Sequence, residues 1–406
     1  MSKSSFNSAV SAGDTHARAA AVVGNTVAGL AGIGAVAVVA MGFAQPAHAQ
    51  SFQEQMEEIV FPDVCGGSTG PSSGCGSIGA AGGAGGQVEV QQGGLPPSVQ
   101  QRMREAQCEA DKNGNCLQPG GAAADTMPFE GLNLFVSTDY QKKLYDGAAE
   151  ADFDSDRAGF TVGLDSPMSW GLIGGALNYN YTAGDFRHNG GDFQQNSFGG
   201  LLYGSYYPSD ASFIDAVIGL AGKGYDINRT VVANGGQVLD ARAKGDTLGF
   251  EFQSSVSGGY DFTFDNFTIG PRAGIHYLRT ELSDFTESGT AMALHYEDQV
   301  EDSLTTTVGF QGSVALSTSF GVVVPQVNAE YVHEFLNDRR TVHATDSLGT
   351  PFTFDTDPPD RNYFNVGGGV VFVLPDGISP FLNYTAEVAN RFEEVHTVTA
   401  GVRLEM

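Results

Sequence analysis

The stretch Thr399-Ala-Gly-Val-Arg-Leu-Glu-Met406 at the end of the chain decides the fold. Apolar and polar residues alternate along it, with Ala400, Val402, Leu404 and Met406 on one side and Thr399, Gly401, Arg403 and Glu405 on the other. A period of two residues indicates a β-strand with one apolar and one polar face. A strand of this kind at the end of a chain suits a closed barrel, in which the last strand pairs with the first and leaves no open sheet edge. We therefore expect an all-β protein whose last strand closes a β-barrel.

The composition agrees with a membrane barrel and disfavours other classes of protein. The 406 residues include 55 glycines, only 17% are charged, and the formal net charge is −27. Mean hydropathy is near zero, as expected when half of each strand faces water and half faces lipid. The acidic balance predicts no nucleic-acid partner, because phosphate contacts require Lys and Arg. Such a surface serves either simple solubility or the collection of divalent cations.

Residues 1–49 are predicted to be a cleaved signal peptide. A weakly basic start is followed by the apolar run Val27–Ala44 and then by Ala47-His48-Ala49. A basic region, an apolar region and an A-x-A site in this order direct secretion, so we expect cleavage between Ala49 and Gln50. The alternative is an uncleaved transmembrane helix, because the apolar run is nearly long enough to span a bilayer.

Residues 50–94 form a low-complexity segment rich in Gly and Ser, which cannot bury enough apolar surface to fold alone and is expected to be mostly disordered. The chain contains four cysteines, which fall into two close pairs, Cys65/Cys75 and Cys108/Cys116. An exported chain meets an oxidising compartment, so two local disulfide loops are the natural pairing. Sequence alone allows three connectivities. Metal binding is less favoured, because the spacings are long and no His lies nearby.

Residues 95–126 are predicted to hold a helix and a linker. Ser98 with Gln101 reads as a capping box, and Gly114 is a plausible stop. A helix of about 15 residues would be about 22 Å long, close to the roughly 25 Å apolar band of an outer-membrane barrel. It is locally basic, through Arg102, Arg104 and Lys112. It is either a surface helix in the periplasm or a plug in an acidic barrel lumen.

Residues 127–406 are predicted to form the barrel itself. Period-two alternation recurs throughout and is clearest at Phe267–Tyr277. We predict twelve strands near 131–145, 157–166, 170–183, 197–207, 212–229, 247–263, 266–281, 303–318, 321–336, 361–374, 378–390 and 395–406. Short and long links alternate strictly, and the long ones include 184–196, 230–246, 282–302 and 337–360. Short turns are typical of the periplasmic side and long loops of the outer surface. An even strand count leaves both barrel ends in the periplasm, so the last strand should close on the strand near residue 131.

Charged residues on the polar faces are expected to line the lumen and to pair with each other, with water or with the helix. They are Glu251, Arg272, His276, Glu330, Glu334 and Arg403. Arg272 and Arg403 are the candidate partners of Glu330 and Glu334. His295 with Asp298 and His343 with Asp346 lack a nucleophile and an orienting partner in the sequence. We therefore expect no enzyme activity, no cofactor and no metal site.

Five stretches, taken together and in order, resemble the translocator barrel of Gram-negative autotransporters. They are Phe153–Asp165, Tyr203–Tyr207, Phe285–Gly289, Glu330–Phe335 and His396–Leu404. The resemblance implies a twelve-stranded transmembrane β-barrel in the outer membrane with an α-helix in its lumen. It also implies Sec export, contact with outer-membrane lipid and lipopolysaccharide, and insertion by the barrel assembly machinery. That machinery reads the last strand, here through Thr399, Gly401, Leu404 and Met406, although the family usually ends on Phe or Trp.

The segment upstream of the barrel departs from the family pattern. Family members usually carry hundreds of residues of repeats there, whereas residues 50–126 show no repeat. We therefore expect a monomeric barrel that translocates, displays or is plugged by its own short N-terminal segment. The alternative is a surface barrel without a passenger, acting through its loops as an adhesin or as a passive channel.

Overall fold

The computed structural model describes residues 96–110, 131–147, 151–187, 190–232, 238–290 and 293–406. The predicted signal peptide, the segment 50–94 and most of the linker after the helix lie outside these ranges. No helix in the described part of the chain combines the length and the apolar character needed to cross a membrane.

The described residues contain the helix α1, Pro97–Ala110, and eighteen strands. The strands are β1 Asn133–Tyr145, β2 Phe153–Met168, β3 Gly171–Phe186, β4 Gly191–Ser209, β5 Ser212–Val232, β6 Val238–Tyr260, β7 Phe262–Phe264, β8 Phe267–Leu282, β9 Phe285–Thr286, β10 Leu294–Tyr296, β11 Gln299–Val314, β12 Leu316–Thr318, β13 Gly321–Glu334, β14 Thr341–Asp346, β15 Pro351–Asp355, β16 Asn362–Val373, β17 Ile378–Val388 and β18 Glu393–Glu405.

Twelve of these strands form one closed antiparallel barrel. They are β1–β6, β8, β11, β13 and β16–β18, and each pairs with its neighbours in this order. The last strand, β18, pairs with β1 along its whole length, from Asn133↔Glu405 to Tyr145↔Glu393. The twelve-stranded barrel closed by the C-terminal strand is therefore confirmed. The short strands β7 and β12 only extend the hairpins with β8 and β13.

The two ends of the barrel differ. At the turn end, where β1 begins and β18 ends, tight turns connect the strands. Asp265 and Asp376, with φ of 51° and 66°, adopt the left-handed conformation that such turns require. At the opposite, loop end, the links are longer, but two of them are shorter than predicted. β3 and β4 are joined by 187–190, and β5 and β6 by 233–237. The strict alternation of link lengths is wrong there, because the strands continue as hydrogen-bonded hairpins well beyond the apolar zone.

The barrel is apolar outside and polar inside. Large side chains such as Phe198, Leu202 and Phe310 are at least 60% exposed on the outer face. Small polar side chains such as Thr161 and Ser205 are buried on the inner face. This reverses the arrangement of a soluble protein and is typical of a barrel whose outer face contacts lipid. Exposed aromatic side chains on the outer face, which in such barrels mark the membrane interfaces, include Tyr140, Trp170, Tyr179, Tyr181, Tyr206, Phe262 and Phe267.

An arginine at the middle of this outer face should destabilise the barrel. We expect Leu202→Arg on β4 to lower the free energy of unfolding by about 2–4 kcal/mol, because the charge must enter the lipid core. Gln194→Arg, on the same strand and the same outward face but nearer the loop end, should cost at most about 1 kcal/mol. Urea titration of the chain folded into liposomes measures both values. Equal costs for the two variants would contradict the placement of the lipid zone.

Candidate functional site in the barrel lumen

The helix α1 lies inside the barrel, in the half of the lumen nearest the turn end. Val99, Met103 and Ala106 follow helical spacing on one face and are almost fully buried. They pack against a wall formed by Phe135, Leu172, Ala176, Leu201, Tyr203 and Val217. These inward-facing apolar residues of the wall thus lie opposite the apolar face of the helix.

The helix begins two residues before the start that an N-cap at Ser98 implies, and the capping box is absent. Pro97 is the first helical residue, a position where proline loses no hydrogen bond. Ser98 therefore lies inside the helix, and its buried hydroxyl has no hydrogen-bond partner among the described residues. The Gln101 side chain instead donates to Glu105 Oε1 at 3.2 Å.

A buried ion pair fixes the helix to β2. Arg102 Nε and Nη2 donate to the two carboxylate oxygens of Asp165, each at 2.8 Å. Both side chains are at most 1% exposed. Asp165 also accepts hydrogen bonds from Asn133 at 2.9 Å and from Tyr203 at 3.0 Å. A buried charge pair is held this firmly only when its remaining hydrogen-bonding groups are satisfied, and the carboxylate of Asp165 meets that condition.

A second ion pair joins the helix to the closing strand. Arg403 Nε on β18 lies 3.4 Å from Glu105 Oε2, and both side chains are buried. The Arg403 guanidinium also contacts Glu405 at 3.0 Å and the hydroxyl of Ser379 at 3.3 Å. The helix is therefore held on both sides of β1, by β2 and by β18.

These contacts define the direction of α1. Asp165 and Arg403 lie within a few residues of the turn end of their strands. Pro96, Pro97 and Gln100, at the start of the helix, instead line a cavity of about 160 Å³ farther along the lumen. The N-terminal end of α1 therefore points towards the loop end of the barrel.

The cavity beyond the helix is polar. Amide and hydroxyl side chains dominate its lining, among them Gln141, Asn178, Asn180, Thr182, Gln195, Ser197, Gln253, Asn328, Asn365 and Thr397. Two ion pairs cross-link its wall, Arg157–Asp139 at 3.1 Å and Lys223–Glu251 at 2.5 Å. A wall of this kind hydrogen-bonds to water or to a polypeptide backbone without selecting one sequence.

Three of the predicted lumenal residues form one group on β8 and β13. Arg272 Nε lies 3.0 Å from Glu330 Oε1, as suggested from the sequence. The two strands are not neighbours, and β11 runs between them with Gly309 opposite both residues. The charged side chains meet because Gly309 has no side chain to separate them. His276 is half-buried on β8, and its Nδ1 makes no hydrogen bond in the part of the chain that is described.

The other predicted lumenal residues lie elsewhere. Glu251 pairs with Lys223, as described above. Glu334 lies at the loop end of β13, where its carboxylate accepts hydrogen bonds from the backbone N–H groups of Leu304, Leu336 and Asn337. Arg403 lies at the turn end, so the suggested pairing of Arg403 with Glu330 or Glu334 is wrong. Sequence reasoning missed Asp165, Lys223 and Arg157, whose partners become visible only once strand register is known.

The remaining sequence predictions fall partly outside the described residues. Ala49, Gln50, Cys65, Cys75 and Cys116 lie outside them, and Cys108 lies in α1 with its side chain undescribed. The predicted assembly signal occupies β18 and the residue after it. Thr399 is buried on the lumen side, Gly401 packs against the ring of Phe381, and Leu404 and Met406 are half-buried.

The loop end of the lumen is covered by a small sheet that the sequence did not predict. The four strands β15, β14, β10 and β9 pair in this order and come from the links β8–β11 and β13–β16. One apolar cluster joins this sheet to the barrel wall. The sheet contributes Phe285, Leu294, Tyr296, Val342 and Ala344, and the wall contributes Tyr145, Phe153, Phe186, Phe193, Tyr225, Ile227 and Leu282. Tyr145 is thus an inward-facing residue of the barrel wall.

The two histidines considered for catalysis belong to this sheet. His295 Nδ1 lies 2.9 Å from the hydroxyl of Thr286 on the neighbouring strand. Asp346 accepts hydrogen bonds from the backbone N–H groups of Thr350 and Leu348, which lower its pKa. The carboxylate of Asp346 therefore closes a hairpin turn. No cluster of three or more His, Cys, Asp or Glu in the described ranges is suited to hold a metal ion.

Two autotransporter barrels are among the solved structures with a similar fold. The translocator domain of NalP from Neisseria meningitidis superposes with a TM-score of 0.57 at 16% identity, over 76% of this chain and 97% of that domain. The β-domain of the Bordetella autotransporter BrkA superposes with a TM-score of 0.53 at 18% identity, over 68% of this chain and all of that domain. At these identities the similarity establishes the fold.

Sequence comparisons identify the family. An uncharacterized protein encoded in the trpE-trpG intergenic region of Pseudomonas putida is 30% identical over 217 residues, which is half of this chain. Outer membrane protein B of Rickettsia japonica is 23% identical over 271 residues, or 63% of this chain. The matched part spans only 35% and 16% of these two relatives, respectively. The family model of the autotransporter beta-domain matches residues 134–385, and the chain therefore belongs to the autotransporter β-domain family.

Proposed function

We propose that this barrel carries its own N-terminal segment, residues 50–95, to the outer surface and then retains α1 as a plug. As a member of its family it is a translocator barrel of a Gram-negative outer membrane. Short turns face the periplasm and longer links face outwards in such barrels, so the turn end is periplasmic and the loop end is external. The proposal concerns what passes through the lumen and what stays in it.

The direction of α1 carries the proposal. Its N-terminal end points towards the external end, and Pro96 lines the cavity there. Its C-terminal end leads back to β1, which begins at the periplasmic end. The N-terminal end of α1 therefore points outwards, as passage of the preceding segment to the surface requires. A lumen that holds one helix, about 10–12 Å wide with side chains, also admits an extended chain or a narrow hairpin.

The contacts of α1 support its role as a plug. The Arg102–Asp165 and Glu105–Arg403 pairs are buried and lie on two different strands. The start of α1 itself, at Pro96, Pro97 and Gln100, forms part of the wall of the cavity beyond the helix. We also propose Sec export with cleavage after Ala49, insertion by the barrel assembly machinery through β18, contact with lipopolysaccharide, and a monomeric state.

Surface labelling of intact cells tests the proposal. An epitope inserted beside Cys65 should bind antibody without permeabilisation. A second epitope in the external hairpin at Ser347–Gly349 is the positive control, and a third in the periplasmic turn at Asp210 should bind only after permeabilisation. The proposal is wrong if the hairpin epitope is labelled and the Cys65 epitope remains inaccessible on cells whose barrel is folded.

The external sheet favours a second candidate function, a surface barrel that binds other cells or molecules through its loops. Leu348, at the tip of the β14–β15 hairpin, is 89% exposed, and an apolar side chain so placed is available to a partner. Replacing Ser347–Gly349 by a shorter polar turn should then abolish cell adhesion while leaving display of the Cys65 epitope unchanged. Passive diffusion is a weaker candidate, because α1 lies in the half of the lumen nearest the turn end and the sheet covers the loop end.

A further inference from the structure

We propose that the sheet formed by β9, β10, β14 and β15 is a hinged lid over the external mouth of the barrel, and that it must swing aside when a chain passes. The inference rests on the proposed passage of the N-terminal segment through the lumen. It adds a second gate, external to α1, and names the residues on which that gate turns.

The underside of the lid is apolar, and it seals against apolar residues of the barrel mouth. Within the lid, Phe285 stacks on Tyr296 with 4.8 Å between the ring centroids. In the wall, Tyr145 stacks on Phe153 with 5.1 Å between the ring centroids. These rings belong to one buried cluster that spans lid and wall. The cavity beneath it is lined by amides, hydroxyls and charges. An apolar seal above a polar passage is stable while it is closed and blocks water and ions.

One side of the lid is anchored to the wall. Arg229 on β5 donates to both carboxylate oxygens of Glu287 beside β9, at 3.0 and 2.6 Å, and both side chains are 2% exposed. Glu287 also accepts a hydrogen bond from Leu294 N at 3.0 Å. Next to it, Lys244 on β6 and Ser288 exchange two backbone hydrogen bonds of 2.7 and 2.9 Å. This side is fixed by charge and by backbone pairing together.

The opposite side of the lid is less constrained. β15 is the edge strand and pairs only with β14 among the described strands. Side chains attach this side to the wall: Arg340, beside β14, lies 2.7 Å from Glu301 on β11, and the Tyr145 hydroxyl donates to Asp357 at 3.4 Å. No described barrel strand pairs with β14 or β15. The lid is thus built to turn about the β5–β6 side, where backbone pairing holds it, and to lift at β15 when these side-chain contacts break. Its resting position depends on the Arg229–Glu287 pair, since a buried charge that loses its partner strongly destabilises the contact it belongs to.

Access of a reagent to the lumen from outside tests the lid without reference to the passenger. Thr182→Cys, in a chain whose four native cysteines are serine, places a thiol in the cavity beneath the lid, where Thr182 is 2% exposed. Its reaction with a membrane-impermeant maleimide is followed on intact cells. Adding Glu287→Gln should accelerate labelling at least about tenfold, because a tenfold change corresponds to less than the usual cost of unpairing a buried charge.

Asp146→Asn is the matched control, because Asp146 is also an external carboxylate paired with an arginine, Arg187, but is 70% exposed and outside the lid. It should leave the labelling rate unchanged. If Glu287→Gln impairs folding, as judged by loss of heat-modifiable gel mobility, Gly245→Ala replaces it. A Cβ there would lie 2.6 Å from the ring of Phe285, so the lid must shift outwards and labelling must accelerate.

Two results would contradict the proposal that this sheet is a lid. One is a parent chain that already reacts as fast as a thiol on the exposed hairpin at Ser347, because the mouth is then open at rest. The other is a labelling rate that neither Glu287→Gln nor Gly245→Ala changes in a folded barrel. Faster labelling together with an inaccessible Cys65 epitope supports the lid and rejects the proposed display, so the two proposals fail separately.

Discussion

Replacing Arg102 with alanine is expected to open the lumen from the periplasmic side. The substitution leaves Asp165 buried without its charged partner, and the loss of one member of a buried pair typically costs about 3–5 kcal/mol. Asp165 keeps its hydrogen bonds from Asn133 and Tyr203. The substitution should therefore weaken the binding of α1 to the barrel wall and leave the stability of the barrel itself unchanged. We expect α1 to leave its position often enough for labelling of a thiol at Thr182 from the periplasmic side to rise by two orders of magnitude.

Two controls make this result specific to the plug. Gln100→Ala changes the same helix on the side that faces the cavity and should leave labelling unchanged. The double variant Arg102→Ala/Asp165→Asn removes both charges and should restore much of the attachment, because it leaves no unpaired buried charge. A single variant Arg102→Ala that labels at the parental rate would show that the ion pair does not hold the helix.

The second large effect is expected at Gly401, where the closing strand is most crowded. A Cβ added to Gly401 would lie 2.5 Å from Cζ of Phe381 on β17 and 2.7 Å from the carbonyl oxygen of Val136 on β1. Since one obstacle is backbone, β18 must move away from the first strand. Gly401→Val should therefore cost at least about 1–3 kcal/mol, the usual penalty of overpacking, and should remove most of the heat-modifiable folded barrel.

Gly222→Val is the matched control for this crowding. Gly222 also lies in a barrel strand, β5, but it faces outwards, whereas Gly401 faces the lumen with Thr399 and Arg403. No atom lies within 4 Å of a Cβ added to Gly222. The valine should be tolerated in that position and even favoured by its β-propensity. Equal yields of folded barrel from the two variants would contradict the close approach of β18 to β1 and β17.

The barrel itself could be predicted because the sequence of each strand shows which of its faces is apolar. In a transmembrane barrel one face of every strand contacts lipid. The alternation of apolar and polar residues can therefore be recognised within about ten residues, without knowing which strands are neighbours. The closure of β18 on β1 followed from parity and from the even count. The position of α1 followed only as one of two alternatives, since a short helix with three basic residues is equally compatible with the periplasm.

Pairings across the lumen could not be predicted, because they depend on register and on the absence of side chains in between. Arg102 and Asp165 are 63 residues apart in the sequence. Arg272 and Glu330 meet across Gly309 of the strand between them. Neither contact can be recognised from a local sequence pattern. The lid was missed for a different reason. Val342 and Ala344 alternate with polar residues, as do Phe352 and Phe354, but strands of five or six residues inside a long link are easily taken for loop. A search for short alternating runs within those links could have found them.

The attachment of α1 to both β2 and β18 has a consequence for the order of assembly. Asp165 belongs to the second strand and Arg403 to the last, and β1 lies between them. The full set of contacts that locks the helix exists only when the last strand has docked on the first. A half-built sheet offers the helix one anchor at most, so the lumen stays unsealed until the ring is complete. Closure of the barrel and full attachment of the helix therefore occur together. The helix does not gain both of its anchors before the last strand has docked on the first.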